Sequence, residues 1–491
     1  MIYNLFNKFI SNEAFRFVFY KYLSFAIIFV NSFLLNLKLG VYVFGFYAFY
    51  KLLLSYSSYS NCGLNYALNV LPASEKITSS YKINKSFSDI FLYNFIFSLI
   101  SVLFFLFLID EYVIFETYNV TRYKYLLIII YFFRQINILF VSYNRLNNNI
   151  KELNVNYLLP PILELILLCF SFQIEWDLFI CVLYVYFFSQ ITLLIINLRT
   201  LNKLNYKFTG FEINRELLKK GVYQLLYNFS FYAIMLALRT IFSHSSSVEV
   251  FSEFSFVFSV SEALFLSTGA ITFLMLPKLL NKISNLTNYK IFVEYNKHYN
   301  FSNSIICVFS VLMIPILNLF FPVYDRVEEY LILMLIAQFF LNSSFVYNTI
   351  LINKGKEDIM IYSGVFAILI LFIAGFFSYL FSVESKSIFI LSSFIISALI
   401  YSSIIKIYAC YKFSLAVFNF NFLITEIFLF KKVLILFVLL IMVFNNIFTI
   451  YIFPILIVLH FLINYSSLKS LRKIIVLFLN NPNAIKLKVK E

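Results

Sequence analysis

A few charged side chains lie within, or at the start of, long apolar stretches of this sequence. Inside a membrane such a group costs several kcal/mol (about 2.5–3.5 on insertion scales) unless it faces a cavity or a partner. Cations in a cavity can hold phosphate oxygens, and carboxylates can take up a proton or a sodium ion. The basic candidates are Arg134, Lys51, Arg239 and Arg16, and the acidic candidates are Glu164, Glu262 and Glu253.

Each basic candidate has a binding role and a structural alternative. Arg134 lies mid-stretch, where its guanidinium could bind phosphate bidentately or pair with Glu164. Lys51 could line a cavity or extend its long stem to the cytoplasmic surface. Arg239 lies near the outer end of its stretch, within reach of lipid head groups. Arg16 opens the first stretch, where a general excess of cytoplasmic cations also explains it.

The carboxylates have the same two interpretations. Glu164 follows Pro160-Pro161, which should kink or start its helix. Glu262 lies mid-stretch, and Glu253 lies nearer the outside. A desolvated carboxylate can carry a proton or bind sodium, which predicts ion coupling. Charge balance for a buried cation is the alternative.

The composition predicts an all-α polytopic membrane protein. Of 491 residues, 62% are hydrophobic and 13% charged, whereas soluble domains carry about 25% charge. Because about 20 apolar residues cross a bilayer as a helix, we predict about fourteen spans. They lie near 15–35, 40–57, 88–109, 122–143, 155–173, 177–198, 221–242, 249–276, 300–321, 327–352, 359–381, 387–408, 424–445 and 448–466.

Charge in the gaps between spans predicts the orientation. With the N-terminus in the cytoplasm, about thirty basic residues fall inside and about six outside. Both termini are then cytoplasmic. The lysines lie in short gaps, so the net charge of +14 does not indicate a nucleic-acid partner. Cysteines and histidines are scattered without metal-ligand spacing, so no metal site is predicted.

An internal repeat predicts two lobes. Val41–Phe44 and Val248–Phe251 both read V-x-V-F, and each opens an apolar run that ends at a proline, Pro72 or Pro277. Six spans per copy keep the two copies in the same orientation. The predicted divisions are a six-helix lobe at 1–198, a basic cytoplasmic linker at 199–220, a second six-helix lobe at 221–411, and two further helices with a basic tail at 412–491.

The stretch Leu39–Phe49, with Gly40 and Gly45, resembles the LGxxxYGxYaf signature of Wzx-type polysaccharide flippases, which handle O-antigen or capsule repeat units. Ala270–Leu279, with Pro277, is similar to a second family stretch. These flippases belong to the MOP superfamily of MATE-like exporters. The resemblance implies a V-shaped, two-lobed transporter in a bacterial inner membrane.

The resemblance also implies the activity. The substrate would be an undecaprenyl-diphosphate-linked oligosaccharide, moved from the cytoplasmic to the outer leaflet by alternating access. Coupling to H⁺ or Na⁺ is expected, with no other cofactor, and a polysaccharide polymerase is a candidate partner. We therefore expect a transporter and not an enzyme.

Two other functions stay open. A MATE-type drug or cation antiporter would favour an acidic, aromatic cavity, whereas Arg134 and Lys51 are basic. A membrane polysaccharide polymerase needs a sizeable external loop, whereas the predicted external gaps hold about a dozen residues or fewer. No P-loop motif is present, which argues against direct use of ATP.

Overall fold

The computed structural model describes residues 13–59, 61, 63–64, 80–147, 149–170, 177–203, 215–283, 290–324, 326–413, 422–444, 453–465 and 467–469. Every regular element in these ranges is a helix. Nine of the described helices are long and apolar enough to cross a membrane. The predicted all-α polytopic class is thus confirmed, and the count of fourteen spans stays a prediction.

The helices up to the middle of the chain are α1 (Glu13–Ser57), α2 (Ser80–Glu111), α3 (Val113–Thr117), α4 (Val120–Leu146), α5 (Ile150–Phe170), α6 (Leu178–Lys203), α7 (Arg215–Ser245) and α8 (Val248–Ile283). Those that follow are α9 (Lys290–Ser310), α10 (Met313–Phe320), α11 (Val327–Asn342), α12 (Phe345–Asn353), α13 (Asp358–Phe377) and α14 (Val383–Phe413). A π-helical turn at Leu423–Ile427 precedes α15 (Phe430–Phe444) and α16 (Phe453–Ile463).

Gly40 interrupts α1 between the first two predicted spans. Its backbone has φ 70° and ψ 169°, outside the helical region. Glycine adopts positive φ with little cost because it has no Cβ. The predicted boundary between spans 15–35 and 40–57 therefore coincides with a real break in the helix.

Contacts divide the chain into two compact units. Unit 1 contains residues 1–270 and 375–383, and unit 2 contains residues 271–374 and 384–491. Helix α7 and most of α8 thus group with the six spans that precede them. The lobes deduced from the repeat, 1–198 and 221–411, stay a prediction, as do the linker at 199–220 and the segment at 412–491.

Unit 1 is held together partly by buried asparagines that join α4, α5 and α6. Asn137 donates to the Gln190 carbonyl at 2.8 Å. Asn197 donates to the side-chain oxygens of Asn137 at 3.2 Å and Asn156 at 3.1 Å. Asn156 donates back to Asn197 at 3.1 Å. Hydrogen bonds between neighbouring helices are a common means of association in membranes.

Replacing Asn197 by leucine is expected to destabilise unit 1 by about 1–3 kcal/mol, because buried amides of Asn137 and Asn156 lose their partner. The measurement is thermal unfolding of the purified protein. Asn147→Leu is the matched control, since that side chain bonds a carbonyl of its own helix. Equal unfolding temperatures for both variants would contradict the role of the asparagines.

Unit 2 packs around α11. All residues of this helix from Tyr330 to Leu341 are buried, so it contacts protein on every side. Helices α9 and α15 pack against α11, and α9 also contacts α12 and α15.

Candidate functional site: a cationic recess in unit 1

Two adjoining cavities lie among α1, α4, α7 and α8. The first has a volume of about 160 Å³ and is lined by Lys51, Arg239 and Glu262. The second has a volume of about 190 Å³ and is lined by Arg134, Arg239 and Glu262. Because Ser55, Arg239, Phe258 and Glu262 line both, we describe the two cavities together as the cationic recess.

Lys51 is held by aromatic faces. It lies one helical turn after Tyr47 on α1. Its ammonium nitrogen is 5.2 Å from the centroid of the Tyr47 ring and 4.7 Å from that of Tyr186, which are cation–π distances. Within the described part of the chain, no carboxylate makes a salt bridge with Lys51. The lysine therefore brings a charge to the recess that no carboxylate among the described residues pairs with directly.

Arg239 faces both cavities. Its Nη2 donates to the Ala48 carbonyl at 3.1 Å, and its guanidinium carbon lies 5.0 Å from the centroid of the Phe258 ring. Its Nε has no hydrogen-bond partner among the described residues. The sequence left open whether Arg239 reaches the outer head groups, and the structure places its side chain on the recess.

Arg134 lines the second cavity, beside Ser58 and Tyr59. Across the ranges that the structure describes, it makes no hydrogen bond or ion pair, including none with Glu164. Its neighbour Gln135 donates to the Ser57 carbonyl and so fixes this turn of α4 against the end of α1. The guanidinium is therefore oriented by its helix and free to bind a ligand.

Glu164 lies behind the recess, bound by neutral donors. Its carboxylate accepts hydrogen bonds from Tyr186 at 2.9 Å, Tyr47 at 3.0 Å and Asn31 at 3.1 Å. The side chain is only 4% exposed and does not line either cavity. The same two tyrosines face Lys51, so Glu164 and Lys51 share neighbours without touching.

The prolines of α5 help to position Glu164. Proline has no N–H, so Pro161 cannot donate to the carbonyl of Tyr157 one turn earlier. Ser24 of α1 bonds that carbonyl instead, at 2.7 Å. Asn31, also on α1, donates to the Pro161 carbonyl at 2.8 Å as well as to Glu164. The carbonyl that Pro161 frees and the two bonds of Asn31 thus fasten α5 to α1.

Glu262 is the carboxylate of the recess itself. Protein surrounds the Glu262 side chain. The side chain is nevertheless exposed, because it borders both cavities. Within the described part of the chain it has no hydrogen-bond or salt-bridge partner. Glu253 lies nine residues earlier on α8, is 7% exposed and does not line the recess.

The remaining predicted site residues have other positions. Arg16 and Pro277 belong to α1 and α8, but their side chains lie outside the described residues. Gly45 packs against the start of α8: a Cβ built on it would lie 2.7 Å from the Val248 carbonyl oxygen. The residue that follows the first V-x-V-F segment therefore contacts the first residue of the second segment.

Sequence reasoning missed the residues that hold the charges, namely Tyr47, Tyr186 and Asn31. Tyr47 precedes Lys51 by four residues, a spacing that places both on one helix face and was a usable signal. Lys406, near the end of the predicted span 387–408, was also not among the candidates; it lies inside α14 and is fully buried.

Removing the hydroxyl of Tyr47 or Tyr186 is expected to destabilise the protein by about 1–3 kcal/mol, because each donates to a buried carboxylate. The double variant Tyr47→Phe/Tyr186→Phe should cost more than the sum of the two single changes, since in each single variant the remaining hydroxyl still donates to the same Glu164 oxygen. Thermal unfolding measures both effects. Tyr184→Phe on an exposed part of α6 is the control, and losses equal to that control would contradict this arrangement.

No protein-family model matches this chain, and no curated protein matches it by sequence. Solved structures do match by fold. A multidrug resistance MATE family transporter of the MOP superfamily, in an inward-facing conformation, aligns with a TM-score of 0.63 at 12% identity, covering 79% of this chain and 94% of its own.

Two further structures have the same fold. The lipid II flippase MurJ, in an inward closed conformation, aligns with a TM-score of 0.58 at 14% identity over 94% of this chain and 99% of its own. A mutant of the Vibrio cholerae MATE transporter VcmN aligns with a TM-score of 0.54 at 12% identity over 82% of this chain and 97% of its own. The chain is therefore a multi-pass membrane protein with the fold of MATE transporters and of MurJ.

Proposed function

We propose that the protein is a Wzx-type flippase, which moves undecaprenyl-diphosphate-linked oligosaccharide from the cytoplasmic to the outer leaflet. The observation that carries this proposal is the charge of the recess. Lys51, Arg134 and Arg239 line it against the single carboxylate of Glu262, so the lining groups sum to +2. A diphosphate is the complementary ligand for such a site.

The hydrocarbon part of this substrate has a matching surface. An apolar cavity of about 520 Å³ lies on the other side of α1 and α7, with Phe104 and Leu108 among its lining. Tyr56 and Thr240 also line it, whereas their chain neighbours Ser55 and Arg239 line the recess. The Tyr56 hydroxyl bonds Thr240 at 2.5 Å, between the two cavities. Head group and chain would then lie on opposite faces of the same two helices.

Ion coupling is assigned to Glu262, which opens into the recess. Taking up a proton or a sodium ion would raise the charge of the lining groups from +2 to +3. Coulomb attraction for a diphosphate then increases, and by linkage the substrate also favours the neutralised carboxylate. Ion and substrate therefore bind cooperatively. Glu164 is a second coupling candidate, because its protonation would alter the tyrosine contacts of Lys51.

This coupling has a direct test in binding measurements. Affinity for undecaprenyl diphosphate is expected to increase severalfold where Glu262 takes up a proton as the pH is lowered. In Glu262→Gln the affinity should be high throughout the titration. The titration is made with purified protein in nanodiscs. A wild-type pH dependence that persists unchanged in Glu262→Gln would assign the proton to another group.

The function itself is tested in a strain that lacks this gene. The flippase proposal predicts that complete undecaprenyl-linked repeat units accumulate on the cytoplasmic side and that surface glycan is lost. A plasmid that carries the wild-type gene should restore the surface glycan. A plasmid that carries Arg134→Ala should not restore it. Single repeat units that reach the surface unpolymerised would indicate a polymerase instead.

A MATE-type cation antiporter is the second candidate, favoured by one observation. Glu262 has no direct partner within the described residues and lies with Phe258 in the recess lining, as a site for an organic cation would require. Unchanged surface glycan with altered sensitivity to cationic drugs in the deletion strain would support this function. The three basic groups of the same recess favour the anionic diphosphate substrate, and therefore the flippase.

A further inference from the structure

Unit 2 contains a line of buried asparagines on one face of α9. Asn296, Asn300 and Asn303 are each 0% exposed. Their spacing of four and three residues places them on the same helix face. At 1.5 Å per residue, the line is about 10 Å long. We call these three residues the asparagine seam.

Most polar atoms of the seam have no partner among the described residues. Among the described residues, neither the amide nitrogen nor the amide oxygen of Asn300 and Asn303 makes a hydrogen bond, and Asn296 leaves its oxygen unpartnered. A buried polar atom without a partner costs about 1–3 kcal/mol, so such atoms are rare unless ordered water satisfies them. Polar buried sites of this kind are where internal water is found.

One end of the seam meets Glu426, which lies on the π-helical turn. Asn296 donates to its Oε2 at 3.5 Å and Tyr347 at 3.3 Å, while its Oε1 has no partner in the described chain. Lys406 donates to the backbone carbonyl of Glu426 at 2.9 Å. The other titratable groups that face Glu426 are Lys432 of α15 and Cys410 of α14.

The other end meets His460 of α16. Ser304 follows Asn303 directly, and its hydroxyl lies 3.2 Å from His460 Nε2. His460 is 1% exposed, and its Nδ1 has no partner within the described residues. The ring also stacks on Phe301, with centroids 6.3 Å apart. The seam therefore connects a carboxylate to an imidazole through groups that can bond water.

The charges near Glu426 indicate water and not a metal cation as the ligand. Lys406 and Lys432 already place two basic groups near one carboxylate, and no cluster of three His, Cys, Asp or Glu side chains suited to a metal occurs among the described residues. We propose that the asparagine seam holds a chain of internal waters and conducts protons between Glu426 and His460. This site belongs to unit 2, whereas the cationic recess belongs to unit 1, and it does not depend on the proposed substrate.

Histidine-selective NMR tests the water chain. The sequence has three histidines, so protein labelled with ¹⁵N-histidine in nanodiscs gives few imidazole signals. Magnetisation transfer from water to His460 is expected in the wild type and should fall about tenfold in Asn300→Leu/Asn303→Leu, where side chains fill the seam. The exposed His244 is the internal control. Asn303→Ser, which keeps a polar group and leaves room, should retain the transfer.

The outcomes separate a wet seam from a dry one. If the seam is dry, the wild type shows no transfer to His460, and the double leucine variant unfolds at a higher temperature because unpartnered amides are gone. That result would overturn the proposal. If water is present, exchange of the His460 imidazole proton should slow about tenfold in Glu426→Gln. An unchanged exchange rate would exclude the proton path.

Discussion

Replacing Arg134 by alanine is expected to weaken the binding of undecaprenyl diphosphate by about 30- to 100-fold. The guanidinium lines the recess and has no hydrogen bond or ion pair within the described chain. Its donors are therefore available for phosphate oxygens, and a charge-assisted bidentate contact contributes about 2–3 kcal/mol. The measurement is a titration of purified protein in nanodiscs with undecaprenyl diphosphate.

Two variants make this result specific. Arg134→Lys keeps the charge but loses the planar pair of donors, so its affinity should lie between those of the wild type and Arg134→Ala. Arg122→Ala removes an exposed cation from the first turn of the same helix and should bind like the wild type. If the affinity of Arg134→Ala for undecaprenyl diphosphate is within twofold of the wild-type affinity, and its unfolding temperature is unchanged, the recess is not the diphosphate site.

Replacing Gly45 by valine is expected to reduce the yield of folded protein severely, at a cost of about 3 kcal/mol or more. A Cβ at this position would lie 2.6 Å from Val248 Cγ1 and 2.7 Å from the Val248 carbonyl oxygen. The carbonyl belongs to the backbone of α8, so the clash can be relieved only by moving a helix. Gly45→Ala is a weaker test, because the better helix propensity of alanine offsets about 1 kcal/mol of the cost of the clash.

Gly375→Val is the matched control for Gly45→Val. A Cβ at Gly375 would lie 2.9 Å from Ile241 Cγ2, and its three nearest neighbours are all side-chain atoms of Ile241. That variant should be tolerated better, because no backbone atom is among those that must give way. Yield after purification and the thermal unfolding temperature measure both variants. Equal losses would indicate that any valine at a helical glycine is disruptive, and that the approach of α1 to α8 has no special role.

The sequence predicted the helical class and one of the breaks between helical segments. Long apolar runs can satisfy their backbone in a bilayer only as helices, so composition and run length were sufficient for the class. The break at Gly40 falls where the second predicted span begins, because a glycine after an apolar run permits a non-helical backbone. These features depend on local chemistry and on the solvent alone.

Contacts between distant residues could not be predicted in the same way. The sequence offered Glu164 as the partner of Arg134, since both are charged groups in apolar runs. In the structure Glu164 is bound by Tyr47, Tyr186 and Asn31, which come from α1 and α6. Neutral donors give no charge signal in a sequence. In addition, Tyr47 and Asn31 are each more than one hundred residues from Glu164 along the chain.

The sequence by itself determined that this chain is a helical membrane protein with rare charges inside its spans. A single ionised group is costly in hydrocarbon, so its presence marks a cavity or a partner wherever it stands. Only the tertiary structure decided which charges share a cavity. It brought Lys51, Arg134, Arg239 and Glu262 to one recess and left Glu253 outside it. The reason is physical: a helix presents each side chain in one direction, and the packing of its neighbours decides what lies there.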